Sequence, residues 1–182
     1  MGGGDKSLRD IAGRPILAHV IERLTPQVDA LALNANGDPE RLASWGLPVV
    51  PDSIEGFAGP LAGVLAGLDW AAELGATHIV TVAADTPFFP QDLVARLRAS
   101  DADLALAATP HPTRGQVRHP TFGLWPVALR DDLRAALQAG LRKVVLWTER
   151  HGGVDVVFED EAAFFNVNTP EDLQLARARA VT

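Results

Sequence analysis

The sequence predicts an α/β protein with three layers, in which helices cover both faces of a doubly wound, mostly parallel sheet. Short apolar runs of strand length alternate along the chain with segments whose apolar residues recur at helical spacing. This alternation is typical of βαβ units with right-handed crossovers. Prolines begin several helical segments, and the segment that begins at Pro60 ends before Gly75. Ligands of such sheets bind beyond the carboxyl ends of the strands, so functional residues are expected there.

The predicted elements follow one another without an internal repeat. Residues 78–83, HIVTVA, form a near-continuous apolar run, as in strands that are covered on both faces. The polar residues 109–119 predict a loop. The predicted strands span residues 28–34, 47–50, 78–83, 103–108, 121–125 and 154–158, and the predicted helices span residues 15–24, 40–45, 60–74, 90–97, 131–138, 143–150 and 170–180.

Length and composition describe an ordinary globular chain. It has 182 residues, 47% hydrophobic and 21% charged, which favours a single domain over residues 1–182. The 16 Lys and Arg against 23 Asp and Glu give a formal charge of −7, which argues against nucleic-acid binding. The absence of Cys excludes disulfides, thiol nucleophiles and zinc–thiolate sites. No apolar run reaches the ~18 residues of a membrane helix, so we expect a soluble, cytoplasmic protein without a membrane partner.

Glycines and a lysine at the start of the chain form a candidate anion site. Gly2 and Gly3 precede Lys6 in the run Met-Gly-Gly-Gly-Asp-Lys. Consecutive glycines let backbone N–H groups turn toward an anion, and Lys6 adds a compact positive charge. The run lacks the Gly-Lys-Ser/Thr ending of a Walker A motif, and a frayed terminus is the alternative interpretation.

A carboxylate follows the most apolar predicted strand. Asp85, in the run Asp-Thr-Pro, stands just beyond the carboxyl end of residues 78–83. Mg2+ takes oxygen ligands and usually keeps some of its waters, so this position predicts a metal ligand. The alternative is an aspartate that caps the next turn.

A second glycine-rich junction follows the strand at residues 47–50. Asp52 precedes Gly59, Pro60 and Gly63, which open a predicted helix. Free N–H groups and the positive end of the helix dipole would receive a phosphate, a ribose or a base there. A plain connection between a loop and a helix is the alternative.

Two further segments carry candidate polar side chains, and the basic one, within residues 109–119, could bind an anionic second substrate. Asn166 and Asn168 alternate in an extended segment before Thr169, which is a natural helix N-cap. Arg118 and His119 lie in the polar stretch 109–119. A helix cap and a solvated loop are the respective alternatives.

Six motifs agree in type, order and spacing with one known family. They are Met-Gly-Gly-x-Asp-Lys, Gly-Arg-Pro-Ile-Leu, Asn-Ala-Asn, Asp-x6-Gly-Pro-Leu-Ala-Gly, Ala-Asp-Thr-Pro-Phe and Asn-Val-Asn-Thr-Pro-Glu-Asp-Leu. In this order they resemble the molybdenum cofactor guanylyltransferases, the MobA family. The resemblance covers nearly the whole chain, and it implies a Rossmann-like nucleotidyltransferase fold.

The resemblance also implies a reaction and its site. GMP would be transferred from GTP to the terminal phosphate of molybdenum-molybdopterin, with release of pyrophosphate and with Mg2+ as cofactor; apo-molybdoenzymes or their chaperones would be protein partners. Asp85 would hold the metal and would be catalytic together with Lys6. The residues implied on the nucleotide side are Gly2, Gly3, Lys6, Asn34, Asp52, Gly59 and Gly63, and those on the pterin side are Arg118, His119, Asn166 and Asn168.

The sequence departs from the family pattern at its front. The family opens with a strand and a Leu-Ala-Gly-Gly run, whereas this sequence starts at the following Met. We therefore expect the first central strand and the first half of the glycine-rich loop to be absent. Two alternatives for function stay open. One is a cytidylyltransferase of the same fold that acts on molybdopterin or a sugar phosphate, and the other is a truncated, non-catalytic homologue that binds the cofactor.

Overall fold

The computed structural model describes residues 6–54, 56 and 59–180, in which strands and helices alternate. Short 3-10 helices span Lys6–Leu8, Thr25–Gln27, Pro39–Trp45, Val127–Leu129 and Glu161–Phe164. The α-helices are α1 (Ile16–Leu24), α2 (Pro60–Glu73), α3 (Leu93–Arg98), α4 (Arg130–Gln138), α5 (Val144–Arg150) and α6 (Pro170–Ala180). The strands are β1 (Asp10–Ile11), β2 (Arg14–Pro15), β3 (Leu33–Asn34), β4 (Val49–Val50), β5 (His78–Thr81), β6 (Ala105–His111), β7 (Gly115–Pro126) and β8 (Val154–Val157).

A four-stranded mixed sheet in the order β5-β7-β6-β8 forms the centre of the fold. Strand β7 is antiparallel to both β5 and β6, whereas β6 and β8 are parallel. Three of these four strands therefore run in one direction. A separate pair, β3 and β4, is also parallel, and β1 and β2 form a small antiparallel pair. The predicted fold class, an α/β protein with a mostly parallel sheet, is confirmed.

Apolar side chains from the sheet pack into helices on both faces. Leu124 packs with Val20 of α1 and Leu97 of α3, whereas its neighbour Trp125 packs with Leu65 of α2, and with α4 and α5. Successive residues of a strand point to opposite faces, so one strand serves both cores. Each fully buried Leu or Phe in them stabilises the fold by roughly 1.5–3 kcal/mol.

The predicted loop at residues 109–119 is wrong, because this stretch forms a β-hairpin. Strand β6 continues to His111 and β7 begins at Gly115, which has φ +72°. Thr109 pairs with Val117 across the hairpin, and the Thr109 side chain is fully buried. Polar residues on an exposed strand face are no obstacle to antiparallel pairing, because the backbone groups supply the ladder of hydrogen bonds.

Several other predicted elements are shorter than expected. Of residues 28–34, only Leu33 and Asn34 pair with a neighbouring strand. The segment predicted as a weak helix at residues 40–45 is a 3-10 helix, and α3 begins at Leu93 rather than at Pro90. Helices α2, α4 and α6 agree with their predictions to within a residue at each end.

A cavity of about 1280 Å³ separates β3 from β5. Residues 31–35 line one side and residues 77–82 line the other, with side chains of α1 and α2 around them. Within the described ranges no strand pairs with both β3 and β5. No helix in the same ranges is both long and apolar enough to cross a membrane.

Candidate active site

The candidate residues of the first half of the chain follow the carboxyl ends of three strands. Asn34 ends β3, Asp52 lies two residues after β4, and Asp85 lies four residues after β5. Strands β3 and β4 are parallel, so Asn34 and Asp52 share one edge of that pair. This is the edge at which ligands bind in doubly wound sheets.

Asp52 lies at the centre of a hydrogen-bonded cluster. Asn34 Nδ2 donates to Asp52 Oδ1 at 3.0 Å and also to the Val50 carbonyl at 3.0 Å. Asn36 Nδ2 donates to Asp52 Oδ2 at 2.8 Å, and the Asp52 N–H donates back to Asn36 Oδ1 at 2.8 Å. Each carboxylate oxygen therefore has one fixed donor and retains room for a second. Asn36 was not among the predicted site residues, although it is the second Asn of the Asn-Ala-Asn motif.

Two glycines at the start of α2 complete this side of the site. Gly59, the N-cap of α2, has φ +146°, a conformation that side-chain-bearing residues rarely adopt. A Cβ on Gly63 would lie 2.5 Å from Asn34 Oδ1, so only glycine allows Asn34 its present place. The structure thus brings together Asn34, Asp52 and Gly63 beside the first turn of α2, at the positive end of the helix dipole.

Asp85 and the segment around Asn166 are joined by two hydrogen bonds. The Val167 N–H donates to the Asp85 carbonyl at 2.9 Å. Thr86, which is fully buried, donates through Oγ1 to Asn166 Oδ1 at 2.6 Å. The predicted metal ligand is therefore next to one of the predicted pterin-side residues. Thr86 was not predicted as a site residue; its place beside Asp85 in Asp-Thr-Pro was the available signal.

Asp85 is the residue predicted to hold a divalent cation. Its carboxylate is half-buried, and its contact with Thr86 Oγ1 is long at 3.4 Å. The described part of the chain contains no group of three or more His, Cys, Asp or Glu side chains arranged to hold a metal ion. A single carboxylate fits Mg2+, which is usually held by one or two carboxylates together with waters and substrate phosphates.

A helix cap holds Asn168 at the start of α6. The Asp172 carboxylate accepts the N–H groups of Asn168 at 3.0 Å and Thr169 at 2.8 Å, and Thr169 Oγ1 accepts the Asp172 N–H at 3.1 Å. These hydrogen bonds, led by that of the Thr169 backbone, lower the pKa of Asp172 below its ordinary value. The expected capping role of Thr169 is confirmed, and the segment from Asn166 to Asn168 is held at both ends.

The structure does not bring Arg118 and His119 together. They are neighbours in β7, so their side chains lie on opposite faces of the sheet. Arg118 donates to both oxygens of Asp155, at 2.8 and 2.9 Å, and to Glu149 at 2.9 Å. The hydrogen bond to Glu149, followed by that to Asp155, raises the pKa of Arg118 further. This guanidinium is thus already paired with two carboxylates.

His119 lies on the same side as the Asn166 segment. Its ring stacks on Phe164 with centroids 4.3 Å apart, and its Nε2 is 3.0 Å from Thr109 Oγ1. Burial lowers the pKa of His119, and nearby Glu161 only partly opposes this effect. The ring is therefore mainly neutral at pH 7. It packs against Phe164, next to this segment, and supplies no positive charge there.

The remaining predicted residues lie at the start of the chain. Gly2 and Gly3 are outside the described residues. Lys6 begins the 3-10 helix Lys6–Leu8, and its side chain is likewise outside the described part.

Comparison with known proteins identifies the family to which this chain belongs. Residues 1–153 match the model of the MobA-like NTP transferase domain. A molybdenum cofactor guanylyltransferase of Bradyrhizobium sp. is 55% identical over 99% of this chain and 87% of its own length. One from Cereibacter sphaeroides is 50% identical over 98% of this chain and 89% of its own. The chain belongs to the MobA family of nucleotidyltransferases. The resemblance inferred from the six motifs is confirmed.

Solved structures agree on the fold of this MobA family member. Molybdopterin-guanine dinucleotide biosynthesis protein A from Archaeoglobus fulgidus has a TM-score of 0.74 at 22% identity, covering 98% of this chain and 92% of its own. The 4-diphosphocytidyl-2C-methyl-D-erythritol synthase from Anaerococcus prevotii has a TM-score of 0.78 at 15% identity, covering 98% and 93%. At these identities the likeness concerns the nucleotidyltransferase fold alone.

Replacing Gly63 by Ala should displace Asn34 and disrupt its cluster. Gly67→Ala, one turn later in α2, is the matched control, because its Cβ would meet only the flexible end of Ile79, at 2.9 Å. Both variants gain about 1 kcal/mol of helix propensity. Gly63→Ala also loses the Asn34 hydrogen bonds, so its free energy of unfolding in urea should be about 1 kcal/mol below that of Gly67→Ala. Equal stability of the two variants would contradict the close contact.

The buried position of His119 should make stability fall in mild acid. In the unfolded state the His119 imidazole takes up a proton at about pH 6.5, whereas in the folded state its lowered pKa means that it does so only at lower pH. The contribution of neutral His119 to the free energy of unfolding is therefore fully present above pH ~6.5. It is lost as the pH falls from there through the pKa of His119 in the folded state. His119→Gln does not titrate, so its unfolding free energy should lose less between about pH 7 and pH 5 than that of the wild type. Parallel curves for the two proteins would show that His119 carries none of this dependence.

Proposed function

We propose that this chain transfers GMP from GTP to the terminal phosphate of molybdenum-molybdopterin and releases pyrophosphate. The product would be a guanine dinucleotide form of the molybdenum cofactor. The names of the relatives at 50–55% identity support this reaction. The structural observation that supports it most directly is the pair of hydrogen bonds between residues 85–86 and 166–167. These bonds hold the nucleotide half and the acceptor half of the proposed site side by side.

The reaction needs positioning and charge neutralisation more than acid–base chemistry. An oxygen of the acceptor phosphate forms a bond to the α-phosphorus of GTP, while the bond from that phosphorus to the bridging oxygen breaks and pyrophosphate leaves with the electron pair. A phosphate monoester with a second pKa of about 6 is already deprotonated at pH 7, so it needs no general base. The protein has to bring two polyanions into line and offset their repulsion.

The nucleotide would lie between the Asp52 cluster and the start of α2. Asn34 and Asp52 would contact the guanosine, and Gly59 and Gly63 let the backbone of α2 approach closely. The positive end of the α2 dipole would attract the phosphate oxygens. Gly2, Gly3 and Lys6 stay predicted partners of the phosphates.

Asp85 would hold Mg2+ beside the phosphates. When bound, the ion would supply positive charge to the phosphate oxygens and to the leaving pyrophosphate. The residues of the chain fix where that charge sits, because the backbone of Asp85 is tied to Val167. The position of the carboxylate is thus linked to the position of the acceptor.

The acceptor would meet the chain at Asn166 and Asn168. Both side chains are exposed beside Asp85 and the start of α6. His119 would act by supporting Phe164 beneath this segment. Arg118 would have to exchange its carboxylate partners for the acceptor, so its predicted role is the one that the observed contacts support least.

Guanine should be preferred over cytosine as the base. The Asp52 carboxylate only accepts hydrogen bonds, and guanine offers two adjacent donors on its pairing edge where cytosine offers a single amino group. We expect kcat/KM for GTP to exceed that for CTP by about tenfold or more, measured as pyrophosphate release with molybdenum-molybdopterin. Equal use of both nucleotides would favour the cytidylyltransferase alternative, and no release with either would favour the non-catalytic one.

Asp85→Asn should abolish turnover without unfolding the chain. The amide keeps the shape of the side chain but binds a cation weakly, and loss of a positioned charge typically costs about 10²–10³-fold in kcat. Asp103→Asn is the control, because that carboxylate is 88% exposed and lies near the first residue of β5, whereas Asp85 follows the last. Thermal unfolding should be the same for both variants within about 2 °C. Retention of Mg2+-dependent activity by Asp85→Asn would refute the assignment of the metal ligand.

A further inference from the structure

Thr86 makes an unusual contact for a residue next to a proposed metal ligand. Its side chain is fully buried, and its hydroxyl bonds to a residue 80 positions later, Asn166. The distance of 2.6 Å is at the short end for a hydrogen bond from a hydroxyl. Asn166 itself is exposed. One buried group therefore holds one exposed side chain at the junction of the two halves of the site.

The direction of this bond determines what Asn166 can offer a ligand. The hydroxyl has one hydrogen, and Asn166 Oδ1 at 2.6 Å is a much closer acceptor than Asp85 Oδ1 at 3.4 Å. Because the Asn166 carbonyl oxygen accepts from Thr86, its Nδ2 group faces elsewhere with two N–H donors. Among the described residues, this NH2 group makes no hydrogen bond to the protein.

We propose that Thr86 is a positioning residue that fixes the Asn166 amide as a hydrogen-bond donor for the acceptor phosphate. A deprotonated phosphate only accepts hydrogen bonds, so it is attracted by the NH2 end of an amide and repelled by the oxygen end. An exposed Asn without a partner would sample both amide orientations and several rotamers. The inference rests on the proposed function, because it takes the phosphate of the acceptor as the ligand.

The expected size of the effect follows from populations. If the donor-presenting conformer falls to about a tenth of the ensemble when the hydroxyl is lost, the apparent Kd rises about tenfold. The effect should fall mainly on the acceptor, since the hydroxyl donates to Asn166 at 2.6 Å and only distantly approaches Asp85 Oδ1 at 3.4 Å. Among the described residues, no hydrogen bond joins Thr86 to the Asn34 and Asp52 cluster on the nucleotide side. A loss of general stability would instead weaken both substrates.

Three threonine variants, together with Asn166→Asp, test the inference in the full chain. Thr86→Val keeps the shape and removes the hydroxyl, whereas Thr86→Ser restores it. Thr148→Val is the matched control, because Thr148 is 3% exposed and donates within its own helix to the Val145 carbonyl at 3.1 Å. Binding of molybdopterin is followed by pterin fluorescence without turnover, and GTP binding is measured in parallel.

We expect Thr86→Val to raise the Kd for molybdopterin about tenfold and to leave that for GTP within about twofold. Thr86→Ser should return to within about threefold of the wild type, and Thr148→Val should change neither ligand. Asn166→Asp, which replaces the donor by a carboxylate, should weaken molybdopterin binding at least as much as Thr86→Val. Unchanged molybdopterin binding by Thr86→Val, or equal losses for both substrates, would overturn the inference.

A spectroscopic readout separates this inference from the proposed function. In 15N-labelled protein, the Asn166 side-chain NH2 pair, assigned by its absence in Asn166→Asp, should show the chemical shifts of one fixed environment. In Thr86→Val this pair should shift toward the values of a free, solvated Asn. If the wild type releases no pyrophosphate from GTP, the proposed reaction fails. If the NH2 pair is the same in wild type and Thr86→Val, the positioning role fails, whatever the reaction.

Discussion

Two hydrogen bonds between residues 85–86 and 166–167 hold the candidate site together. They join the end of β5 to the segment before α6, two parts of the chain that no local signal relates. Without them, the proposed metal ligand and the proposed acceptor segment would lie on two separate loops. A phosphoryl transfer depends on the line between the attacking oxygen, the phosphorus and the leaving oxygen, so a fixed joint between the two halves matters more than any single charge.

Local sequence patterns account for the parts of the fold that have local causes. Pro60 and Gly75 bound α2, Thr169 and Pro170 start α6, and the apolar run at residues 78–83 contains β5. The position of Asp85 followed from β5 alone, because the carboxyl end of such a strand is where ligands bind. The six motifs supplied the family, which relatives at 50–55% identity confirm.

The failures have physical causes that a linear pattern does not contain. The polar residues of the hairpin have the composition that is typical of a loop. Antiparallel pairing, however, depends on backbone hydrogen bonds to a partner strand and not on the polarity of the side chains. Arg118 and His119 were grouped as members of that predicted basic loop, whereas they are neighbours in a strand and their side chains lie on opposite faces. Thr86 and Asn36 were missed because their importance lies in partners 80 and 16 residues away.

The acidic character of the chain is compatible with the two polyanionic substrates of the proposed reaction, because the candidate site contains few formal charges. A formal charge of −7 opposes anions at long range, but that repulsion is screened beyond roughly 8 Å in physiological salt. In the proposed site, the groups nearest the substrates are side-chain amides and the positive end of a helix dipole, which are fixed before the ligand arrives. Fixed neutral donors need no counter-charge, and this explains why positioning residues such as Gly63 and Thr86, which carry no charge themselves, can matter as much as the charged groups. Gly63 in particular costs α2 about 1 kcal/mol of helix propensity, and the room it leaves is the room that Asn34 occupies.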